Sequence, residues 1–326
     1  MPSKSILLTG ATGFVGAHAA EAFAAGGGQV RALVRPTSRV QRLRALGADI
    51  IEGGLEDAGA VREAATGVDA VVHMAALTRA RTAAEYHTVN DAGTRALLDT
   101  IAAMDVPPRR FVYLSSLAAV RPSGDVPVGA DTEPHPLTAY GRSKLGGERA
   151  CTEVGAALET VIVRAPAVYG PGDRDLLRFF RLAQRGLLPV PSGPARPLQL
   201  VHVQDLAAAL VAAANLQGGR GVYHVAEPRA YAWREVVGLV AEAVGVKARL
   251  VPVPQPALRM AAVLSEFGAG LVGRATIFNR DKAEELLAPG WLCDTLPALD
   301  DLGVSPRPLA TGLRQTAEWY REQGWL

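Results

Sequence analysis

The sequence predicts an α/β fold with a doubly wound parallel sheet. Two observations predict it: short apolar runs alternate with Ala- and Leu-rich stretches through the first half of the chain, and a glycine-rich turn follows the first apolar run. Such alternation is typical of a parallel sheet with helices on both faces. A chain of 326 residues can bury a large core in one big domain or in two interleaved ones.

The predicted strands are short apolar runs, as expected for strands buried on both faces. In chain order they comprise residues 5–9, 30–34, 49–52, 70–73, 111–114 and 160–163. Ala-rich or Leu-rich stretches with helical character lie between them, notably residues 15–25, 92–104 and 143–158. After Pro171 the pattern becomes irregular, with several prolines between residues 189 and 197 that mark loops. Residues 200–203 and 222–225 are predicted to be strands that return to the main sheet.

The glycine-rich turn, Thr-Gly-Ala-Thr-Gly-Phe-Val-Gly at residues 9–16, joins the first predicted strand to the first predicted helix. Gly10 permits the sharp turn, Gly13 lets the backbone approach a pyrophosphate, and Gly16 lets the helix pack close to the strand. The helix N-terminus then faces the anion. We therefore predict a dinucleotide phosphate site, with a flexible glycine loop as the alternative.

A second set of residues carries acid and base chemistry. Tyr140 and Lys144 are four residues apart, so they share one face if a helix starts here. A lysine ammonium lowers the pKa of a nearby phenol towards working pH, which makes the tyrosine usable as an acid or base. A serine at the end of the fifth strand can hold the substrate oxygen. We prefer Ser116 because it lies nearer the strand's exit, and Ser115 stays open.

The composition excludes several classes of function. The formal net charge is +2 with 20% charged residues, which argues against a surface that binds polyanions. No basic block indicates nucleic acid, and no apolar segment is long enough to span a bilayer. Cys151 and Cys293 lack metal-ligand spacing, so we expect no metal and a reducing, cytoplasmic compartment. The first strand follows the N-terminus so directly that we expect no signal peptide.

Three segments resemble the extended short-chain dehydrogenase/reductase family: residues 9–16, residues 140–144 and residues 164–171 (Arg-Ala-Pro-Ala-Val-Tyr-Gly-Pro). That family includes sugar-nucleotide epimerases and dehydratases, 3β-hydroxysteroid dehydrogenases and dihydroflavonol-type reductases. The resemblance runs from about residue 5 to the end and is weakest in the substrate-binding part. It implies a Rossmann domain, placed at residues 1–171 and 199–228, and a smaller C-terminal α/β substrate domain, placed at residues 172–198 and 229–326.

The end of the second strand indicates which nicotinamide cofactor the chain prefers. An acidic residue there usually binds the ribose 2′-hydroxyl of NAD, whereas Arg accommodates the 2′-phosphate of NADP. Here Arg35 can stack on adenine while its guanidinium meets the phosphate, and Ser38 or Arg39 can add contacts. NADP(H) is therefore favoured over NAD(H), and a pair of solvated surface arginines is the alternative.

The resemblance implies further cofactor contacts. Ala75 and Ala76 would lie beside the pyrophosphate and ribose, and Lys144 would hold the nicotinamide ribose. Pro166 and Val168 fall where the family's backbone meets the nicotinamide carboxamide. The complete predicted cofactor-binding set is Gly10, Thr12, Gly13, Phe14, Val15, Gly16, Arg35, Ser38, Arg39, Gly54, Leu55, Ala75, Ala76, Tyr140, Lys144, Pro166 and Val168.

One pair of residues departs from the family pattern, and one further residue leaves a choice open. Gly54 and Leu55 replace the usual Asp-hydrophobe pair after the third strand, so the common carboxylate contact to adenine is missing, although Leu55 can still pack on the base. Asn90 matches a helix-start asparagine that supports the site or merely caps its helix.

The predicted substrate-binding residues indicate an uncharged ligand. Sugar-nucleotide members typically place Asn at the position of Ala167 and Arg near Leu198, and both positions are apolar here. Thr78 and Ser116 complete the predicted substrate-binding set. Residues 256–264 and 267–272 form a notably apolar segment that can line a pocket, form a lid or rest on a membrane, with core packing slightly favoured. Four arginines fit either a phosphate site or the wet face of a helix: Arg174, Arg178, Arg181 and Arg185.

The combined pattern predicts an NADP(H)-dependent oxidoreductase with the catalytic residues Ser116, Tyr140 and Lys144. Its small-molecule substrate would be an apolar secondary alcohol or ketone, steroid-like, lipid-like or aromatic. The first alternative is a sugar-nucleotide epimerase or dehydratase with tightly bound NAD(P), although residues 117–119 lack the Asp-Glu pair of a dehydratase. The second alternative is a non-catalytic NADP(H)-sensing regulator, although such regulators have often lost the tyrosine or the lysine.

We also expect a homodimer. Residues 92–104 and 143–158 match helices that family members commonly pair into a four-helix interface. Gly146, Gly147 and Ala150 would let two such helices approach closely. The alternative is that these small residues seat the helix against its own sheet.

Overall fold

The computed structural model describes residues 5–155, 158–194, 196–216, 218, 221–271, 276 and 278–326. The strands in chain order are β1 Ser5–Thr9, β2 Gln29–Val34, β3 Asp49–Glu52, β4 Ala70–His73, β5 Arg110–Ser116, β6 Glu159–Ala165, β7 Ala167–Tyr169, β8 Leu187–Pro191, β9 Pro197–Leu198, β10 Leu200–His202, β11 Gly221–His224, β12 Tyr231–Ala232 and β13 Arg249–Val253.

Helices fill most of the chain between these strands. They are α1 Phe14–Ala25, α2 Gln41–Ala45, α3 Ala58–Ala65, α4 Ala83–Tyr86, α5 Gly93–Ala102, α6 Ala139–Glu153, α7 Leu177–Gln184, α8 Val203–Asn215, α9 Trp233–Val244, α10 Gln255–Leu271, α11 Arg280–Leu287, α12 Leu296–Leu302 and α13 Leu309–Glu322. A π-helical turn, His87–Ala92, joins α4 to α5, and a 3₁₀ turn, Leu117–Ala119, follows β5.

The main sheet has seven strands in the order β11-β6-β5-β4-β1-β2-β3, and every neighbouring pair is parallel. The strand order reverses between β1 and β4, and in doubly wound sheets ligands bind at the carboxyl ends of the strands beside such a reversal. The predicted fold class is therefore confirmed.

Alternating side chains of β1 show how the sheet holds its two layers of helices. Ile6 and Leu8 pack into one core cluster with residues of α1 and α8, whereas Leu7 packs into a second cluster with residues of α3, α5 and α6. All three side chains are fully buried. A strand that buries both faces needs a continuous apolar run, which is the pattern that predicted it.

The prediction that the strand at residues 200–203 joins the main sheet is wrong. β10 pairs with β7 in a separate two-stranded parallel sheet, and Val203 already begins α8. β6 ends at Ala165, directly before Pro166, which has no N–H group to continue the ladder. β7 therefore does not continue the main sheet, and β10 pairs with β7 outside it. Residues 221–224, by contrast, join the main sheet beside β6 as predicted.

The helix predicted at residues 143–158 is shifted in the structure. α6 begins at Ala139, because the Thr138 hydroxyl accepts a hydrogen bond from the Gly141 N–H group and caps the first turn, and it ends at Glu153. Tyr140 therefore lies in the first turn, and Lys144 one turn later.

The apolar segment after residue 255 does not pack into a core, so that interpretation is wrong. It forms α10, whose outward side carries Met260, Leu264 and Phe267 with 64%, 63% and 69% of their surface exposed. Ala262 is the buried residue on the opposite side. Val272, the end of the predicted segment, lies outside the described residues. In the part of the chain that the structure describes, no helix combines the length and apolar character needed to cross a bilayer.

The small residues of α6 seat this helix against its own chain. A Cβ atom at Gly146 would lie 2.3 Å from the Asp91 side chain, and one at Gly147 would lie 2.2 Å from the Tyr113 hydroxyl. Our interpretation that these glycines let two subunits approach is therefore wrong. The homodimer remains a prediction that rests on the family resemblance alone.

Candidate active site

Five predicted site residues lie directly after or at the ends of neighbouring strands. Gly10 follows β1, Arg35 follows β2, Ala75 lies just after β4, Ser116 ends β5 and Pro166 follows β6. Because these strands are parallel, their carboxyl ends form one edge of the sheet. That edge is where an open α/β sheet binds its ligand.

The glycine turn fits a dinucleotide phosphate. Gly10 has a φ of +74°, and a Cβ there would lie 2.6 Å from the Ala75 backbone nitrogen. A Cβ at Gly16 would lie 2.1 Å from the Gly10 carbonyl oxygen, so only glycine lets α1 start this close to the turn. Gly13 occupies the N-cap of α1, and no side chain caps the helix. The positive end of the helix is therefore left to bind an anion.

The other predicted cofactor residues line the same edge with differing exposure. Arg35, Arg39 and Thr12 are exposed, whereas Ser38 is partly buried and its N–H group donates to the Arg35 carbonyl at 2.8 Å. Leu55 lies against the start of α5, since a Cβ at Gly93 would be 3.2 Å from its Cδ1 atom. The remaining residues are partly buried: Phe14, Val15, Gly54, Ala76 and Val168.

The two candidate serines have different partners. Ser115 is buried, and its hydroxyl donates a 2.5 Å hydrogen bond to the Glu148 carboxylate. The Ser116 hydroxyl accepts from the Ala118 N–H group at 3.1 Å and interacts with the Tyr140 phenol. Successive residues of a strand point to opposite sides, so only one of the two serines can face Tyr140. In this structure it is Ser116.

Burial raises the pKa of Tyr140 above the ordinary phenol value. The nearby Glu285 carboxylate raises it further, and the Ser116 hydroxyl opposes both effects. The Tyr140 ring also packs edge-on against Tyr86, with 5.8 Å between ring centroids. Our expectation that Lys144 depresses the pKa of this phenol is therefore wrong for this structure.

Lys144 is buried one helical turn after Tyr140. Its ammonium donates to the Leu114 carbonyl at 2.7 Å and lies 4.1 Å from the centre of the Tyr113 ring. Burial lowers the pKa of Lys144, the charge of Glu148 partly offsets this effect, and the resulting pKa is about 7. Only 2% of Lys144 is exposed, so it is not a solvated surface lysine.

The lowered pKa of Lys144 makes a prediction for stability. The unfolded chain keeps this proton up to about pH 10.5, but the folded chain keeps it only to about pH 7. The folded state therefore gains stability as pH rises from 7 to 10.5. A Lys144→Met variant lacks this gain, so its unfolding free energy should fall relative to the wild type by up to about 5 kcal/mol over that range.

Urea unfolding at a series of pH values measures this difference, and the exposed Lys247→Met serves as the matched control. If the difference in unfolding free energy between Lys144→Met and the wild type does not change with pH, the lowered pKa of Lys144 is contradicted.

Asn90 is not a helix cap, so that alternative is wrong. It is fully buried inside the π-helical turn, a feature that often marks functional sites. Its side-chain amide donates to the Leu77 carbonyl and to the Ser143 hydroxyl, both at 2.9 Å, and its oxygen accepts from the Leu77 N–H group at 2.7 Å. Asn90 therefore ties the loop after β4 to α6.

Sequence reasoning missed two carboxylates on α11 that meet the start of α6. Asp281 accepts a 2.9 Å hydrogen bond from the Ala139 N–H group, and Glu285 accepts a 3.2 Å hydrogen bond from the Thr138 hydroxyl. Negative charge at a helix N-terminus is favourable. Nothing in the sequence pairs the two carboxylates with Thr138 and Ala139, which lie more than a hundred positions earlier.

The predicted substrate residues do not all lie together. Thr78 is exposed, and its carbonyl accepts from the Tyr86 hydroxyl at 3.4 Å, beside Tyr140. Ala167 is exposed on β7, whereas Leu198 packs against the core of the C-terminal part of the chain. The four arginines in and beside α7 are exposed to solvent: Arg174, Arg178, Arg181 and Arg185. Among the residues with described positions, no cluster of side chains suits a metal ion.

Residues 6–226 match the family model described as the NAD dependent epimerase/dehydratase family. The ceramide reductase of Caulobacter vibrioides is 35% identical over 324 residues, covering 98% of this chain and 96% of that protein. A ketoreductase of Stigmatella aurantiaca, named for a 4-hydroxy-2-methyl-3-oxo-4-farnesyl-3,4-dihydroquinoline-1-oxide, is 30% identical and covers 86% of this chain and 90% of its own.

A solved structure of MoeE5 in complex with UDP-glucuronic acid and NAD superposes with a TM-score of 0.75 at 26% identity, covering 98% of this chain and 99% of that one. The family match spans the glycine turn, both serines, Tyr140 and Lys144. The chain therefore belongs to the NAD dependent epimerase/dehydratase family and is an NAD(P)-dependent enzyme of the extended short-chain dehydrogenase/reductase type.

Proposed function

We propose that this enzyme reduces a ketone on an apolar substrate to a secondary alcohol, using NADP(H) and the residues Ser116, Tyr140 and Lys144. The observation that carries the proposal is the contact between the Ser116 hydroxyl and the Tyr140 phenol at the ligand-binding edge of the sheet. Both relatives described above are named as reductases of lipophilic molecules, which supports the substrate class.

The proposed mechanism assigns one task to each residue. When bound, the nicotinamide supplies the hydride. Ser116 holds the carbonyl oxygen, and Tyr140 gives this oxygen its proton. With its raised pKa the Tyr140 phenol is protonated at neutral pH, so it has a proton to donate. In the proposed reduction this proton goes to the carbonyl oxygen of the substrate.

Lys144 supports the proton transfer through its position and its charge. The buried ammonium, whose pKa is about 7, lies one helical turn from Tyr140. Because the pKa of this ammonium lies below that of the phenol, it can return a proton to the tyrosinate that proton donation leaves. Lys144 is proposed to restore the phenol in this way and to hold the cofactor ribose, as the family resemblance implies.

The apolar substrate class is proposed from the residues beside the site. Ala167 is exposed on β7 at the position where sugar-nucleotide enzymes carry Asn, so no amide is present there to bind a uracil or diphosphate. Residues 172–198 and 229–326 are proposed to form the substrate domain, which includes the exposed apolar face of α10. The alternative is epimerase or dehydratase chemistry on nucleotide sugars. A panel of ketones and nucleotide sugars, read by NADPH absorbance, distinguishes the two.

The cofactor preference is proposed from the exposed arginine after β2. Changing Arg35 to Asp removes the partner of the 2′-phosphate and adds repulsion. We expect NADPH binding to weaken by about 10- to 100-fold, since hydrogen bonds to charged groups are worth about 1.5–3 kcal/mol. NADH should then bind more tightly than NADPH.

Fluorescence titration of both cofactors measures this preference, with the exposed Arg62→Asp on α3 as the matched control. Equal affinity of the unmodified protein for NADPH and NADH would refute the NADP(H) preference.

A further inference from the structure

His73 lies at the end of β4, fully buried, and the proposed mechanism does not use it. Its Nδ1 atom is 2.6 Å from the Thr9 hydroxyl, and its Nε2 atom is 2.9 Å from the Thr94 hydroxyl. Thr9 ends β1 immediately before the glycine turn, and Thr94 lies in the first turn of α5. Both ring nitrogens of one buried imidazole therefore join separate elements.

The direction of these hydrogen bonds follows from the neighbours. The Thr94 hydroxyl gives its only proton to the Asn90 carbonyl at 2.8 Å, so it must accept from His73 Nε2–H. His73 Nδ1 is then an acceptor, and the Thr9 hydroxyl donates to it. The Thr9 oxygen in turn accepts from the Ala75 N–H group at 3.4 Å.

The chain continues beyond Asn90 to the helix that carries Tyr140. The Asn90 side-chain amide donates to the Ser143 hydroxyl at 2.9 Å, and this hydroxyl donates to the Tyr140 carbonyl at 2.7 Å. Every hydroxyl in the chain both accepts and donates, so reversing or removing one member leaves a buried group without its partner. The series links the glycine turn to the first turn of α6.

We propose that His73 is a positioning residue, which couples the phosphate-binding turn to the Tyr140 helix through this buried hydrogen-bond chain. The proposal rests on the proposed function, because it concerns the geometry in which Tyr140 works. A misplacement of about 1 Å at reacting groups can reduce turnover by about 100-fold. A fixed spacing between the turn and the phenol is therefore worth maintaining.

The charge state of His73 suits this role. Burial and, to a smaller extent, the positive charge of Lys144 lower the pKa of His73 to about 3. The imidazole therefore stays neutral at physiological pH, with one donor and one acceptor. Stacking on the Tyr113 ring, at 5.6 Å between centroids, holds its plane, but packing alone would not require both nitrogens to be paired.

The test removes one link without touching the proposed catalytic residues. In a Thr94→Val variant, kcat should fall by about 10- to 100-fold while KM for NADPH changes far less, and Thr94→Ser should restore kcat. Thr316→Val is the matched control, because Thr316 is also a fully buried helical threonine that donates to the carbonyl four residues earlier. Its kcat should equal that of the wild type.

A second measurement does not depend on turnover. Hydrogen exchange should show that NADPH slows exchange of the amides at residues 139–144 in the wild type, and that Thr94→Val loses this effect. If Thr94→Val fails to fold, Ser143→Ala breaks the last link in a helix-compatible way. Its kcat and its exchange effect should fall in the same way, with little change in melting temperature.

The two measurements separate the two proposals. A wild type that reduces no ketone, yet shows NADPH-dependent protection at residues 139–144 that the variant loses, would overturn the proposed function and support the coupling. Unchanged kcat in Thr94→Val, a kcat loss that Thr316→Val shares, or a wild type without this protection would overturn the role of His73.

Discussion

Replacing Tyr140 by phenylalanine should reduce ketone reduction by about 10²- to 10⁴-fold, the usual contribution of a general acid or base. The ring keeps its edge-on packing against Tyr86, but it loses the hydroxyl that interacts with Ser116. Binding of NADPH should survive, because the glycine turn is untouched. A fall in kcat with little change in cofactor affinity would mark a group that acts in the transition state.

Steady-state kinetics and fluorescence titration measure both quantities. Tyr223→Phe is the matched control. Tyr223 lies on β11, and the substitution removes a tyrosine hydroxyl that donates to the Asp301 carboxylate at 3.0 Å. Turnover in Tyr140→Phe equal to that of the wild type would rule out the phenol as the proton donor.

The second large effect concerns stability rather than chemistry. Glu148 and Arg164 form a buried bidentate ion pair, with the carboxylate oxygens 2.9 and 2.7 Å from the guanidinium nitrogens. Changing Glu148 to Gln removes the negative charge and leaves the Arg164 cation buried without compensation. We expect the free energy of unfolding to fall by about 3–5 kcal/mol.

A double variant separates this effect from the loss of packing. Glu148→Leu with Arg164→Met replaces the pair by apolar groups of similar volume, a change that is often neutral or stabilising. Urea unfolding should therefore show the double variant to be more stable than Glu148→Gln alone. If both variants unfold at the same urea concentration as the wild type, the pair does not matter for stability.

The residues that were predictable from the sequence are those whose partners are close along the chain. The glycine turn lies between a strand and a helix within one short segment, and Tyr140 and Lys144 are one helical turn apart. Ser115 and Ser116 were harder to separate, because strand periodicity gives two faces without saying which one meets the site. In the structure the Ser115 hydroxyl donates to Glu148, whereas the Ser116 hydroxyl interacts with Tyr140.

What could not be predicted depends on distant partners. The pKa of Tyr140 is set by burial and by Glu285, which stands 145 positions further along and reaches α6 only through the fold. The apolar repeat of α10 fits a buried helix as well as an exposed one, since a pattern does not say what covers it. His73 ends a strand that the sequence predicts, but its contacts with Thr9 and Thr94 become visible only when β1, β4 and α5 are assembled.

The most direct test of the central claim follows the hydride itself. Purified enzyme is incubated with NADPH that carries deuterium at the transferable C4 position, together with aliphatic long-chain, steroid-type and aromatic ketones, or with UDP-sugars. Mass spectrometry of the products should show deuterium on the carbinol carbon of an apolar alcohol, with no conversion of UDP-sugars. Epimerised or dehydrated UDP-sugars, with no deuterated alcohol from any ketone, would contradict the proposed reduction.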